Sequence, residues 1–187
     1  MPHQPVRWEN RVSNLLSGLQ LVNTLLNELH GTFGSSSLLS ITRVTQLLIT
    51  GLQNAKRNKI ECTQLMEEIH QVLYTIATLH IQSDTPGSVP PAILDHIGKS
   101  TETMHKINTF IEAQSDGNRI RRLFRQNELT ALLKDCRTGL QDAKEVFKAR
   151  PFKKLHSDKS DLSHDKSIPE FKVLFNATLH AKNIPRP

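Results

Sequence analysis

The chain has 187 residues, of which 37% are hydrophobic, and its 24 Lys and Arg against 18 Asp and Glu give a net charge of +6. This length suits one domain with extensions, and two cysteines cannot build the disulfide framework of a small secreted protein. The longest stretch without charged side chains, residues 12–27, is too short and too polar to span a bilayer and does not resemble a signal peptide. We therefore expect a cytoplasmic protein.

Apolar residues recur at spacings of three and four and predict five amphipathic helices, at about 8–30, 38–56, 59–83, 91–115 and 118–149. Gly31 and Gly34 mark the first break, residues 83–88 a loop, and residues 116–118 the last break. The run at 56–59, Lys-Arg-Asn-Lys, is predicted to be a polar junction that faces the C-terminal end of the second helix. No segment alternates like a strand, so the predicted fold is an all-α, antiparallel helix bundle.

Candidate core residues follow from the apolar stripes. Leu133 and Leu140 are predicted to lie in the core on the last helix. Cys62 and Cys136 also fall on apolar stripes, which leaves two interpretations: a redox switch that joins two helices, or two small buried thiols. We favour buried thiols, because a buried free cysteine behaves as a small hydrophobe.

Motifs for catalysis or for cofactor binding do not occur in the sequence. A glycine-rich phosphate loop, a dinucleotide fingerprint and local metal-ligand spacings of the H-x-x-x-H or C-x-x-C type are all missing. The nine histidines are scattered and are predicted to be structural or solvated. Glu61, Glu67 and Glu68 are predicted to be solvated charges on a polar helix face. We therefore expect a protein that is not an enzyme and holds neither cofactor nor metal.

The positive charge is localised. Residues 116–155 carry 11 basic and 5 acidic side chains, whereas residues 1–115 carry 8 and 9. Such a segment suits an anionic membrane or an acidic partner, although a solvated basic helix face would look the same. A nucleic-acid partner is disfavoured, because aromatic residues make up 5% of the chain and no stacking or groove-binding motif is present. The candidate binding residues are Arg119, Arg121, Arg122, Arg125, Lys148, Arg150, Lys153 and Lys154.

Six short motifs follow one another in the sequence between residues 58 and 143. They are Asn58-Lys59-x-x-Cys62, Met66-Glu67-Glu68-Ile69-His70, Val89-Pro90-Pro91-Ala92-Ile93-Leu94, His105-Lys106-Ile107-x-x-Phe110-Ile111-Glu112-Ala113-Gln114, Arg119-Ile120-Arg121-Arg122-Leu123-Phe124-Arg125 and Leu132-Leu133-Lys134-Asp135-Cys136-Arg137-x-Gly139-Leu140-Gln141-x-Ala143. Together they resemble the N-terminal helical domain of the mixed-lineage-kinase-domain-like family. The similarity is greatest to the version in fungal proteins that often precedes a nucleotide-binding oligomerisation module.

This resemblance implies a four-helix bundle at residues 36–150. Residues 1–35 would then be an N-terminal helical extension. The polar composition of residues 151–187 predicts a flexible basic and polar tail, and its short apolar cluster predicts a short helix near 170–180. The resemblance also implies a cell-death or immune signalling module that self-associates, binds anionic phospholipids at the plasma membrane and works with a nucleotide-binding receptor. The chain carries neither that receptor module nor a pseudokinase, and its first bundle helix has few basic residues. The alternative function is an adaptor that binds a partner protein and never contacts lipid.

Overall fold

The computed structural model describes residues 5–82, 90–115 and 125–148, and in these ranges it contains five helices and no strand. The prediction of an all-α fold is confirmed. The predicted tail at 151–187 and the first residues of the predicted last helix, 118–124, lie outside the described residues. The helices are α1 (Pro5–Phe33), α2 (Ser36–Asn54), α3 (Lys59–Ile81), α4 (Pro91–Glu112) and α5 (Gln126–Lys148).

The ends of the helices follow local chemistry. The prediction that Gly31 breaks the first helix is wrong, because α1 continues through it to Phe33. Gly34 ends the helix instead: its φ is 68°, a left-handed conformation that glycine adopts at little cost, and its N–H donates to the carbonyl of His30 at 2.7 Å. Pro91 opens α4, where its missing N–H costs nothing.

The core is a single cluster to which all five helices contribute. Helix α1 takes part fully, since Leu19, Val22 and Leu26 are at most 2% exposed. The prediction for Leu140 is confirmed, because this side chain is 1% exposed. The prediction for Leu133 is corrected: it is only partly buried against the core, because it lies where α5 borders an open cleft.

Contacts between helices define which way some of them run. Trp8, Arg11 and Gly18 of α1 contact Lys59, Glu67 and His70 of α3 in that order, so these two helices run in the same direction. Gly51 near the end of α2 contacts Ile111 near the end of α4, and Ala55 and Ser115, which follow these helices, pair with each other, so α2 and α4 end side by side. Helix α1 packs on α2 and α3, α4 on α2 and α5, and α5 on α3. Packed neighbours therefore include a pair that runs in the same direction, and the antiparallel four-helix bundle stays a prediction.

Helices α4 and α5 approach closely at a glycine. An ideal Cβ on Gly139 would lie 2.5 Å from Oγ1 and 2.8 Å from Cγ2 of Thr103. The Thr103 hydroxyl donates to the carbonyl of Lys99 at 3.0 Å, which holds the side chain in place. Only glycine fits at this position without a shift of α4 or of Thr103.

Both cysteines are free and buried. Burial raises the pKa of Cys62 to about 12 and the pKa of Cys136 to about 11. The interpretation as small buried thiols is confirmed. Neither sulfur is in the thiolate form near neutral pH, which is the form that reacts in redox exchange.

The prediction that Glu67 and Glu68 are simply solvated is wrong. Arg11 of α1 donates from Nε and Nη2 to the two carboxylate oxygens of Glu67, each at 2.6 Å. Lys144 of α5 donates to Glu68 Oε2 at 2.8 Å. These adjacent glutamates on α3 therefore join it to the helices on either side. The partners are 56 and 76 residues away in sequence, and no helical spacing reveals them.

Candidate functional site

The excess positive charge lies in the segments that flank α5 rather than on α5 itself. This helix carries four basic and four acidic side chains and is neutral. Residues 116–125 and 149–155 each have three more basic than acidic side chains. With 23 residues, α5 is about 35 Å long. In the sequence, one charged segment therefore precedes Gln126 and the other follows Lys148.

Of the predicted binding residues, only Arg125 has a described side chain. It is exposed, and its backbone N–H donates to Glu128 Oε2 at 2.6 Å, which caps the first turn of α5. Lys148 is the last residue of α5, and its side chain is outside the described residues. Arg119, Arg121, Arg122, Arg150, Lys153 and Lys154 also lie outside the described residues.

The turn between α2 and α3 is tied to the C-terminal end of α4 by a compact set of hydrogen bonds. The carbonyl of Gln114 accepts from the backbone N–H groups of Lys56 and Arg57 at 3.1 and 3.2 Å. The side chain of Gln114 accepts from Asn58 Nδ2 at 3.0 Å, and its Nε2 donates to the Phe110 carbonyl at 3.1 Å. Gln114 is only 3% exposed, so a buried amide fixes this turn.

A cleft of about 400 Å³ lies beside this turn, where α3, α4 and α5 meet. We refer to this region, residues 55–58, 114–115 and 125–126, as the cleft end. The lining of the cleft mixes apolar side chains with amide, hydroxyl and charged groups. The lining residues are Arg57, Asn58, Glu61, Phe110, Gln114, Gln126, Leu129, Thr130 and Leu133.

The cleft end is rich in exposed cations. Lys56 and Arg57 are exposed on the turn, and Arg125 is exposed beside Gln126. Lys59, the first residue of α3, is exposed directly after the turn. The basic run at 56–59 can be recognised in the sequence, where it predicts a polar junction. That prediction does not reveal that the run lies near the start of α5 in the fold. Ser115 and Arg125 bracket residues 116–124, so the segment with the predicted arginines starts and finishes at this end.

The described residues contain no group of three His, Cys, Asp or Glu side chains that could hold a metal ion. Within the same ranges, no helix has the length and apolar character needed to cross a bilayer. His80 is fully buried; one ring nitrogen, Nδ1, lies 2.9 Å from the Ile76 carbonyl, and Nε2 has no hydrogen-bond partner. Burial lowers the pKa of His80, so the neutral imidazole is favoured.

Comparison of the chain with protein-family models, with curated proteins and with solved structures finds no match in any of the three.

Proposed function

We propose that this protein is a non-enzymatic signalling module of the cell-death or immune type, which self-associates and binds acidic membrane lipids through basic segments. The observation that carries the proposal is the charge distribution: two segments with an excess of three positive charges each flank a neutral helix. A basic side chain near an anionic membrane contributes about 1 kcal/mol to binding. Each segment therefore contributes about 3 kcal/mol, which alone corresponds to millimolar affinity, and the two segments together give tighter binding.

The resemblance described above supports the proposal from a second direction. Asn58 and Gln114 belong to two separate motifs of that resemblance, and their side chains are hydrogen bonded. The resemblance also implies that α2 to α5 correspond to a four-helix bundle, with α1 as an addition. Recruitment to the plasma membrane, and a nucleotide-binding receptor as an activating partner, belong to the same proposal.

Vesicle co-sedimentation tests lipid binding directly. The full chain is mixed with neutral phosphatidylcholine vesicles or with vesicles rich in phosphoinositide, at about 0.01 M and about 0.15 M salt. The proposal requires binding to the acidic vesicles only, and weaker binding at the higher salt because screening shortens the reach of each charge. Equal binding to both vesicle types, or to neither, contradicts it. Sedimentation velocity with and without acidic vesicles tests self-association.

The alternative, an adaptor that binds a partner protein without lipid, is supported by exposed apolar residues away from the cleft end. Leu21 on α1 and Leu47 on α2 are 46% and 51% exposed. Exposed apolar side chains of this size suit a protein interface, although isolated ones are common on soluble proteins. The vesicle experiment separates the two functions, because an adaptor would bind neither vesicle type.

A further inference from the structure

The first residues of α3 present an exposed apolar side chain next to exposed cations. Ile60 is 60% exposed, more than any other exposed large hydrophobic side chain in the described part of the chain. Lys59 precedes it, and Lys56 and Arg57 lie on the turn before. One exposed apolar residue is ordinary on a soluble protein. Ile60 differs from such a residue because exposed cations lie next to it at a turn of fixed conformation, and this combination suggests a binding surface.

This turn is held in one conformation. Asn58 has a φ of 44°, in the left-handed region, and its side chain donates to Gln114. The backbone N–H groups of Lys56 and Arg57 are also bound to Gln114. The Lys59 ammonium lies 5.0 Å from the centroid of the Trp8 ring, so α1 contacts the residue that directly follows the turn. A turn fixed in this way presents its side chains at little entropic cost on binding.

The turn also lies near the start of α5, where Arg125 is the described end of the predicted basic segment. Arg57 and Asn58 line the same cleft as Gln126, which directly follows Arg125. The cations of the turn and Arg125 are therefore at one end of the helix assembly. Ile60 and Arg125 are far apart in the sequence, and only the fold brings the turn and the start of α5 to the same end.

We propose that the α2–α3 turn and the first two residues of α3 form a membrane-contact element, in which Lys56 and Lys59 bind the phosphates of an anionic bilayer and Ile60 inserts at the boundary between the headgroups and the acyl chains. The inference rests on the proposed function and adds a contact that the basic segments do not include. Cations that flank an exposed apolar side chain suit this surface, since electrostatic attraction and apolar burial act together there. If the turn binds a protein partner instead of lipid, the turn variants described below will bind vesicles as tightly as their controls.

The test measures vesicle affinity of the full chain with phosphatidylcholine vesicles that contain phosphatidylserine. Lys56→Gln/Lys59→Gln should bind about 30-fold more weakly at about 0.01 M salt, and the deficit should shrink at about 0.15 M. Ile60→Ser should bind about tenfold more weakly at both salt concentrations, because apolar burial is not screened. Circular dichroism and thermal unfolding confirm that each variant is folded.

Matched controls lie elsewhere on the described surface. Arg43→Gln/Lys99→Gln removes the same two charges from exposed positions on α2 and α4, and Leu47→Ser removes an exposed apolar side chain from α2. At about 0.15 M salt, where the Debye length is about 8 Å, both should bind within about threefold of the unsubstituted chain, because their sites lie away from the turn. If the turn variants bind as tightly as these controls, the inference is overturned while the proposed function stands. If the unsubstituted chain binds no anionic vesicle, both are overturned.

Discussion

The side-chain amide of Asn58 donates a hydrogen bond of 3.0 Å to Gln114, and this contact joins the start of α3 to the end of α4. Asn58 has a φ of 44°, which most residues adopt only at a cost. We predict that Asn58→Ala lowers the free energy of unfolding by about 2 kcal/mol, through loss of the hydrogen bond and backbone strain. Asn58→Gly should lose about 1 kcal/mol less, because glycine accepts this φ. Urea unfolding measures both, and equal losses would show that the strain is negligible.

Close packing at Gly139 gives a second prediction. Gly139→Ala should lower the free energy of unfolding by about 1–3 kcal/mol, because the new methyl group overlaps Thr103. Gly98→Ala is the matched control: it lies on an exposed position of α4 where an added Cβ would have nothing within 4 Å, and it should stabilise by about 0.5–1 kcal/mol. A stabilised Gly139→Ala variant would show that α4 and α5 are not in close contact.

Two leucines on α5 differ in burial and should differ in their contribution to stability. Leu140→Ala should cost about 2–5 kcal/mol, as expected for a side chain that is 1% exposed. Leu133→Ala should cost less, because this side chain is partly open to the cleft. Thermal or urea unfolding of the two variants ranks them, and the reverse order would mean that α5 turns a different face to the core.

The buried imidazole of His80 predicts a loss of stability in acid. Burial lowers the pKa of His80 below its ordinary value of 6.5, so the unfolded state takes up a proton more readily than the folded state. The free energy of unfolding should therefore fall as the pH drops below about 6.5, by up to about 1.4 kcal/mol per pH unit for this one group. Urea unfolding at about pH 7.5 and about pH 5.5 measures the loss. His80→Leu should reduce it, whereas exposed His105→Gln should leave it unchanged.

The helical content of this protein follows from its sequence because apolar spacing is a local property. The stripe of Leu65, Ile69 and Ile76 on α3 is buried, as the period of the helix predicts. Contacts between helices cannot be predicted from apolar spacing, because they join residues that are far apart in the sequence. The polar face of α3 predicts solvated glutamates at 67 and 68, yet their partners Arg11 and Lys144 come from α1 and α5.

The candidate site can be predicted only in part for the same reason. The basic residues between 119 and 125 can be counted in the sequence. The position of residues 56–59 next to the end of α4 cannot be predicted in this way, because it depends on the contact of Gln114 with Asn58. Gly31 is a similar case in the fold: a glycine is a weak helix breaker, and α1 continues through it because Leu26 and its neighbours pack in the core.

The affinity of Arg121→Gln/Arg122→Gln/Arg125→Gln for acidic vesicles measures directly whether the basic segment before α5 binds lipid. Glutamine keeps helix propensity nearly unchanged, so the helical signal should be preserved. If these arginines bind anionic lipid, the three together contribute about 3 kcal/mol at low salt, and affinity should fall about a hundredfold. The difference should shrink between about 0.01 M and about 0.15 M salt, where the Debye length falls from about 30 Å to about 8 Å. Unchanged affinity of a folded triple variant would show that these arginines do not bind anionic lipid.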